Sequence, residues 1–259
     1  MLFKDVMIHG TSGQIFSRIW SPSDNTLLPP IILLHDSLGS VELWRDFPER
    51  LCEATQRTVI AYDRPGFGKS HSLDSPISTQ FIPNEALETF ADIRKQLKIQ
   101  KFVVLGHSVG GGMALHCAAQ YPEDCDEVIT LAAQSFVEDK TLNGIRAAQK
   151  LFSDPTQIER LKKYHGDKTQ WVLDSWMQTW LSDDFASWSL TNILPNVKAR
   201  SLVIHGINDE YGSAEHPQRI ADLSGNHSTL MLMENTTHFP HREQSTAVLI
   251  AIEQFLDTP

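Results

Sequence analysis

Residues 101–112, KFVVLGHSVGGG, place one serine among four glycines directly after a run of apolar residues. The apolar run predicts a strand, and the stretch from Ser108 to about Tyr121 predicts a helix. Gly106 and Gly110 stand two residues before and two residues after the serine, where small residues let the strand and the helix approach closely. A G-x-S-x-G turn of this kind would hold the serine hydroxyl exposed at the carboxyl edge of a sheet.

Short apolar runs alternate with amphipathic stretches along most of the chain. Further strands are predicted at residues 29–36, 57–63, 126–133, 201–206 and 228–234, and helices at residues 41–54, 84–99 and 246–256. Short strands that are almost wholly apolar, with helices between them, are typical of a parallel sheet that is buried on both faces. The sequence therefore predicts an α/β fold, with a mostly parallel central sheet and helices on both faces.

Residues 134–197 break this alternation, because they contain helix patterns with Asp and Thr starts and no convincing strand. Four of the six tryptophans lie here, namely Trp171, Trp176, Trp180 and Trp188. We interpret this region as a helical cap inserted between two strands of the sheet, with residues 1–133 and 198–259 forming the core. Large aromatic side chains mostly pack between helices, and one or two of these would also line a pocket beneath the cap.

Composition argues against several classes of partner. The chain of 259 residues has a net charge of −10 and a pI near 5.5, which argues against nucleic acid or an anionic membrane. Its three cysteines lack metal-ligand spacing and suit free thiols. The first residues lack a signal-peptide pattern, and no apolar run is long enough to span a bilayer. We expect a cytoplasmic monomer or homodimer that binds a small molecule and uses no metal or cofactor.

Two further stretches, together with the serine turn, resemble the motifs of one superfamily. Residues 35–39, HDSLG, follow a predicted strand, and residues 62–70, YDRPGFGKS, are similar to a D-x-P-G-x-G-x-S loop. With G-x-S-x-G they make the whole chain resemble the α/β-hydrolase superfamily, and within it the cap-bearing serine hydrolases. The resemblance implies a nucleophilic serine, an acid after a late strand and a histidine after the last strand.

A serine hydroxyl is inert near neutral pH unless a base takes its proton, and the base needs an orienting carboxylate. The chain has eleven histidines, and we choose among them by the order of serine, acid and histidine along the chain that the resemblance implies. The predicted triad is Ser108, Asp209 and His238, because Asp209 and His238 follow the last two strands closely. Glu210 and His241 are the second choices, and we expect His165, in the cap, to lie on the surface.

The resemblance also implies that two backbone amides bind the oxyanion of a tetrahedral intermediate. Val109 follows the nucleophile, and Ser37 is the second residue after the histidine of the HDSLG loop. Asp36 stands where the superfamily usually has glycine, so we expect its carboxylate to point away from the oxyanion and to cap a nearby turn. The predicted pocket residues are Leu38, Trp176 and Phe239.

Three functions remain open. The first is a serine hydrolase that cleaves a carboxylic ester or lactone with an apolar acyl group through an acyl-enzyme. The second is a hydrolase of carbon–carbon bonds in ring-cleavage products, in which Arg64, Lys140 or Lys150 would bind a substrate carboxylate. The third is a ligand-binding or signal-receptor module on the same fold. Dehalogenases and epoxide hydrolases are excluded because they use an aspartate where this chain has Ser108.

Overall fold

A computed structural model describes residues 2–11, 13–22 and 26–257. Residues 1, 12, 23–25, 258 and 259, all within the predicted core, lie outside the described residues. Within the described residues, eight strands form one sheet in the order β1-β2-β4-β3-β5-β6-β7-β8. These are β1 (Leu2–Gly10), β2 (Gly13–Ser21), β3 (Ile31–Leu34), β4 (Val59–Tyr62), β5 (Phe102–His107), β6 (Cys125–Leu131), β7 (Arg200–Gly206) and β8 (Ser228–Met233).

Strands β3 to β8 run parallel to one another, and β1 and β2 form an antiparallel edge of the sheet. The described helices are α1 (Phe47–Thr55), α2 (Phe81–Leu87), α3 (Thr89–Gln96), α4 (Val109–Gln120), α5 (Asp139–Leu151), α6 (Pro155–His165), α7 (Thr169–Trp180), α8 (Glu215–Leu223), α9 (Pro240–Glu243) and α10 (Ser245–Asp257). Among the described residues, no helix is both long enough and apolar enough to cross a bilayer.

Alternate residues of the central strands enter two separate cores, because successive side chains in a strand point to opposite faces. Ile31 and Leu33 of β3 pack with α1 and α10, whereas Ile32 and Leu34 pack with α2, α3 and α4. All four side chains are fully buried. The predicted α/β class, with helices on both faces of a mostly parallel sheet, is confirmed.

Two predicted helices differ from the structure. The predicted helix at 41–54 is a 3-10 turn followed by α1, which begins at Phe47 with a proline in its first turn. The predicted helix at 84–99 begins earlier and breaks at Glu88, whose φ of −112° and ψ of −91° are not helical. The break gives the two halves different partners, because α2 packs on α4 and α3 packs on β1.

The segment between β6 and β7 contains α5, α6 and α7, and α7 packs against both of the other two. Helix α6 begins where the Asp154 side chain accepts a hydrogen bond from the Thr156 amide, with Pro155 between them. Local sequence therefore determines where this helix starts. The insertion covers the carboxyl edge of the sheet, where the loops after β3, β5, β6, β7 and β8 meet.

Candidate active site

Ser108 lies in the sharp turn between β5 and α4. Its φ of 55° and ψ of −124° are unusual for a residue other than glycine, and its amide donates a hydrogen bond to the Leu131 carbonyl at 2.8 Å. A Cβ atom at Gly106 would collide with the backbone of Gly110, and a Cβ atom at Gly110 would collide with the Leu34 carbonyl. The two glycines are therefore required for the close approach of strand and helix that holds the serine.

Asp209 and His238 form a short hydrogen bond at the same edge of the sheet. His238 Nδ1 lies 2.8 Å from Asp209 Oδ2. The other carboxylate oxygen, Oδ1, accepts hydrogen bonds from the amides of Tyr211 at 2.7 Å and Gly212 at 3.2 Å. Asp209 is fully buried and His238 is 5% exposed. The carboxylate is thus fixed by the backbone and holds the Nδ1–H tautomer, which leaves His238 Nε2 as the basic nitrogen.

Electrostatics favour a charged pair here. Burial opposes the ionised form of each group, but the hydrogen bond and the opposite charges outweigh it. The pKa of Asp209 therefore lies below its ordinary value, and the pKa of His238 lies above its ordinary value. An imidazole of raised pKa beside a permanent carboxylate is suited to accept a proton from a hydroxyl group.

Ser108 does not yet contact that base. Its hydroxyl donates a hydrogen bond to Gln134 Oε1 at 3.3 Å, and no hydrogen bond joins it to His238 among the described residues. Ser108, Gln134 and His238 border the same cavity. Hydrogen bonds between catalytic groups are often long or absent without substrate and tighten when it binds. The arrangement therefore brings the nucleophile and the base to one space without joining them.

Two backbone amides remain available beside Ser108. In the loop after β3, the Leu38 amide donates to Asp36 Oδ1 at 2.9 Å and the Gly39 amide donates to the Asp36 carbonyl at 3.1 Å. Among the described residues, no acceptor is found for the amides of Ser37 or Val109. Free N–H groups on two sides of a serine can bind an oxyanion, and the N-terminus of α4 adds partial positive charge.

Asp36, the departure from the superfamily pattern, is held away from this position. Its Oδ1 caps the turn at Leu38, and its Oδ2 lies 3.2 Å from Nδ1 of His107. His107 Nε2 in turn donates to the backbone carbonyl of His238 at 2.8 Å. Burial acts to raise the pKa of Asp36, but the hydrogen bond and charge of His107 hold it well below its ordinary value. The side chain thus connects the loops that carry Ser37, Ser108 and His238.

The cavity above Ser108 has a volume of about 90 Å³, which is small beside typical ligand pockets. Leu38, Trp176 and Phe239, the three residues predicted to line a pocket, all border it. Further bordering residues that the sequence did not single out are Gln134, Thr141, Ile145, Trp180 and Tyr211. One signal could have found Gln134, since it closely follows a buried parallel strand, where ligands of α/β folds bind.

Glu210 and His241, the second choices for the acid and the base, lie in different surroundings. Glu210 is exposed. His241 is 2% exposed, and its ring packs 5.1 Å from Trp44 and 5.3 Å from Phe47. Burial lowers the pKa of His241 well below its ordinary value. Neither side chain is placed to serve as the acid or the base beside Ser108.

The prediction for His165 is wrong, because the side chain is 2% exposed. Its Nδ1 accepts a hydrogen bond from the Gly68 amide at 2.9 Å, and its Nε2 donates to the Leu38 carbonyl at 3.0 Å. Burial lowers its pKa. Both ring nitrogens are used within the protein, so His165 attaches the end of α6 to two loops of the core.

Comparison with known proteins identifies the class of the chain. The family with the alpha/beta hydrolase fold matches residues 29–154. The human protein named serine hydrolase BPHL is 30% identical over 224 residues, which cover 82% of this chain and 73% of that protein. The chain therefore belongs to the α/β-hydrolase family, and it is an α/β-hydrolase enzyme.

Other relatives are named for different activities. A 2-hydroxy-6-oxononadienedioate/2-hydroxy-6-oxononatrienedioate hydrolase of Escherichia coli is 26% identical, covering 88% of this chain and 87% of that protein. The chain spans only 38% of a 1-acylglycerol-3-phosphate O-acyltransferase of Pongo abelii, at 31% identity. A solved structure of a membrane phospholipase A matches with a TM-score of 0.78 at 16% identity, covering 98% of this chain and 86% of that one. This last likeness concerns the fold alone.

Proposed function

We propose that the protein is a serine hydrolase that cleaves small carboxylic esters or lactones through an acyl-enzyme, with Ser108, His238 and Asp209 as the triad. The observation that carries the proposal is the state of His238. Its Nδ1 is bound to Asp209, while its Nε2 has no partner among the described residues and the ring borders the cavity with Ser108. The name of the human relative, a serine hydrolase, agrees with this chemistry.

In the first half of the reaction, His238 Nε2 takes the proton of Ser108 Oγ as the oxygen bonds to the substrate carbonyl carbon. The amides of Ser37 and Val109 bind the oxyanion, and Asp209 stabilises the imidazolium. The imidazolium then gives its proton to the alkoxide that leaves, which departs as the alcohol. An acyl group remains bound to Ser108.

In the second half, His238 takes a proton from a water molecule whose oxygen attacks the acyl carbon. The second tetrahedral intermediate collapses, Ser108 Oγ leaves and regains its proton from His238, and the carboxylic acid is released. Water is the only co-reactant, and no metal or organic cofactor takes part in any step.

The carbon–carbon hydrolase is the second candidate, and the Escherichia coli relative favours it. A dicarboxylate substrate would require a cationic group at the cavity, and none of the three candidates supplies one. Arg64 donates to the Asp36 carbonyl at 2.8 Å, Lys140 donates to the Gly212 carbonyl at 3.1 Å, and Lys150 is exposed. None of the three borders the cavity. This argues for an uncharged ester over a dicarboxylate.

Hydrolysis of p-nitrophenyl esters with acyl chains of two to twelve carbons tests the proposal, with the Ser108→Ala variant as the control. We expect activity that peaks at short chains, because the cavity is small, and that falls at least about 10³-fold in the variant. Absence of any activity above the variant would refute the esterase. A large ligand-dependent rise in melting temperature without turnover would then favour the receptor module.

A further inference from the structure

Among the described residues, only the oxygen of the Gln134 side-chain amide has a hydrogen-bond partner. Gln134 is 3% exposed, and its Oε1 accepts the hydrogen bond from Ser108 Oγ at 3.3 Å. A primary amide also carries two N–H donors on Nε2. Among the described residues, no acceptor for these donors is found. Because Gln134 borders the cavity, these donors are available to an acceptor that enters it.

Hydrogen bonds hold the backbone on either side of Gln134. Ala132 has a φ of 50°, and its amide donates to the Ile204 carbonyl at 2.8 Å. The Ser135 amide donates to His216 Nδ1 at 3.1 Å. Ala132 and Ser135 are both fully buried. The side chain is directed at Ser108, and its amide borders the cavity.

Two other polar side chains at the cavity, Thr141 and Asp36, are paired within the protein. Thr141 Oγ1 donates to the Tyr211 carbonyl at 2.6 Å. Asp36 is bound by the Leu38 amide at 2.9 Å and lies 3.2 Å from His107. The remaining wall is largely apolar, with Ile145, Trp176, Trp180 and Phe239. Gln134 Nε2 is therefore a donor at the cavity that an oxygen of the substrate can bind.

We infer that the acyl group of the substrate carries an oxygen acceptor two bonds from its carbonyl carbon, which Gln134 Nε2 binds. The inference rests on the proposed function and specifies its substrate class: short acyl groups with an alkoxy or keto oxygen. The position follows from geometry. Both ends of the amide share one carbon atom, so Nε2 lies near Ser108 Oγ, which bonds to the carbonyl carbon. The cavity of about 90 Å³ admits only a short chain.

The test compares p-nitrophenyl methoxyacetate with p-nitrophenyl butanoate, which differ by one oxygen in place of one methylene. The measured quantity is the ratio of kcat/KM for the two esters in the native protein and in Gln134→Met. The greater intrinsic reactivity of the methoxyacetate cancels when the two proteins are compared. We expect the ratio to fall by more than twofold and up to about tenfold in Gln134→Met, because a neutral hydrogen bond typically contributes that much to binding.

Two more variants separate the parts of the amide. Gln134→Glu keeps an acceptor for the Ser108 hydroxyl but loses the donors when ionised, so the ratio should fall as in Gln134→Met. Gln218→Met makes the same replacement at an exposed position that does not border the cavity, so the ratio should be retained. A ratio that stays within twofold in Gln134→Met overturns the inference while esters are still hydrolysed. If the native protein hydrolyses neither ester better than Ser108→Ala, the proposed function fails, and the inference fails with it.

Discussion

Two histidines of this protein are held by carboxylates at almost the same distance, yet only one is placed to act as a base. His238 Nδ1 lies 2.8 Å from Asp209, and His216 Nε2 lies 2.9 Å from Glu138. The two histidines differ in the contacts of their other ring nitrogen. His216 Nδ1 accepts a hydrogen bond from the Ser135 amide at 3.1 Å, whereas His238 Nε2 has no partner among the described residues.

The electrostatics of the two pairs differ in the same sense. Burial lowers the pKa of both histidines, and both carboxylates act to raise it. At His238 the carboxylate prevails and the pKa lies above its ordinary value, whereas at His216 burial prevails and the pKa lies below it. A nearby carboxylate is therefore insufficient to identify a base. A basic histidine also needs an unoccupied nitrogen at a cavity, and His216 instead attaches the start of the insertion to α8.

The largest expected effect comes from removing each histidine in turn. His238→Gln should lower kcat for a short p-nitrophenyl ester by roughly 10⁶-fold, because the proton of Ser108 then has no acceptor. His216→Gln should keep kcat within about tenfold and lower the melting temperature by several degrees, because buried hydrogen bonds of His216 are lost. Kinetics and thermal melting of both variants check this. An equal loss of kcat in the two variants would contradict the distinction.

Local pattern was enough to predict the elements that carry the site. The glycines around Ser108 follow from a turn that has no room for Cβ atoms, which neighbouring residues determine. Asp209 and His238 follow the last two strands, and the chain order that the superfamily resemblance implies selects them from the other carboxylates and histidines. The catalytic roles of the three residues remain predictions.

Contacts between distant segments could not be predicted in this way. His165 stands in a polar run, KKYHGD, that resembles a surface, and it is buried by groups 97 and 127 residues away. His107 meets Asp36 across 71 residues. The break at Glu88 reflects the different packing partners of α2 and α3. These features depend on which loops the fold brings together, and a single sequence does not carry that information.

The next largest effect concerns the two carboxylates. Asp209→Asn should lower kcat roughly 10⁴-fold, because an amide can stabilise the wrong tautomer of His238 and cannot stabilise its charge. The charge that raises the pKa of His238 is also lost. The base must be neutral to act, so the pH at which activity appears should be lower in the variant than in the native protein.

Glu138→Gln is the matched control for Asp209→Asn. Its amide oxygen can still accept the hydrogen bond from His216, so kcat and its pH profile should stay close to those of the native protein. Profiles of kcat/KM from pH 5 to 9 for both variants provide the measurement. A shifted profile in Glu138→Gln, or an unshifted one in Asp209→Asn, would show that the two pairs do not differ as their geometry indicates.

The smallest effect is on stability, where the two histidines should act in opposite directions. The folded-state pKa of His216 is lowered, so below about pH 6.5 the unfolded chain binds the proton more readily, and stability falls as the pH falls. His205 behaves alike, since burial lowers its pKa to about 4. The folded-state pKa of His238 is raised, so its contribution is fully present below about pH 6.5 and is lost as the pH rises through that pKa.

Melting temperatures between pH 8 and pH 5 therefore separate the pairs without any substrate. The native protein should melt at lower temperature toward pH 5, because the histidines of lowered pKa outnumber His238 among the described residues. His216→Gln should make this slope shallower, and His238→Gln should make it steeper, each by a few degrees over the range. Asp209 loses its contribution only at lower pH, because its pKa is lowered. Burial raises the pKa of Glu85 to about 7, so its protonation favours the folded state as the pH falls, equally in the native protein and in both variants. Slopes that change in the same direction in both variants would mean that the carboxylates affect the two histidines alike.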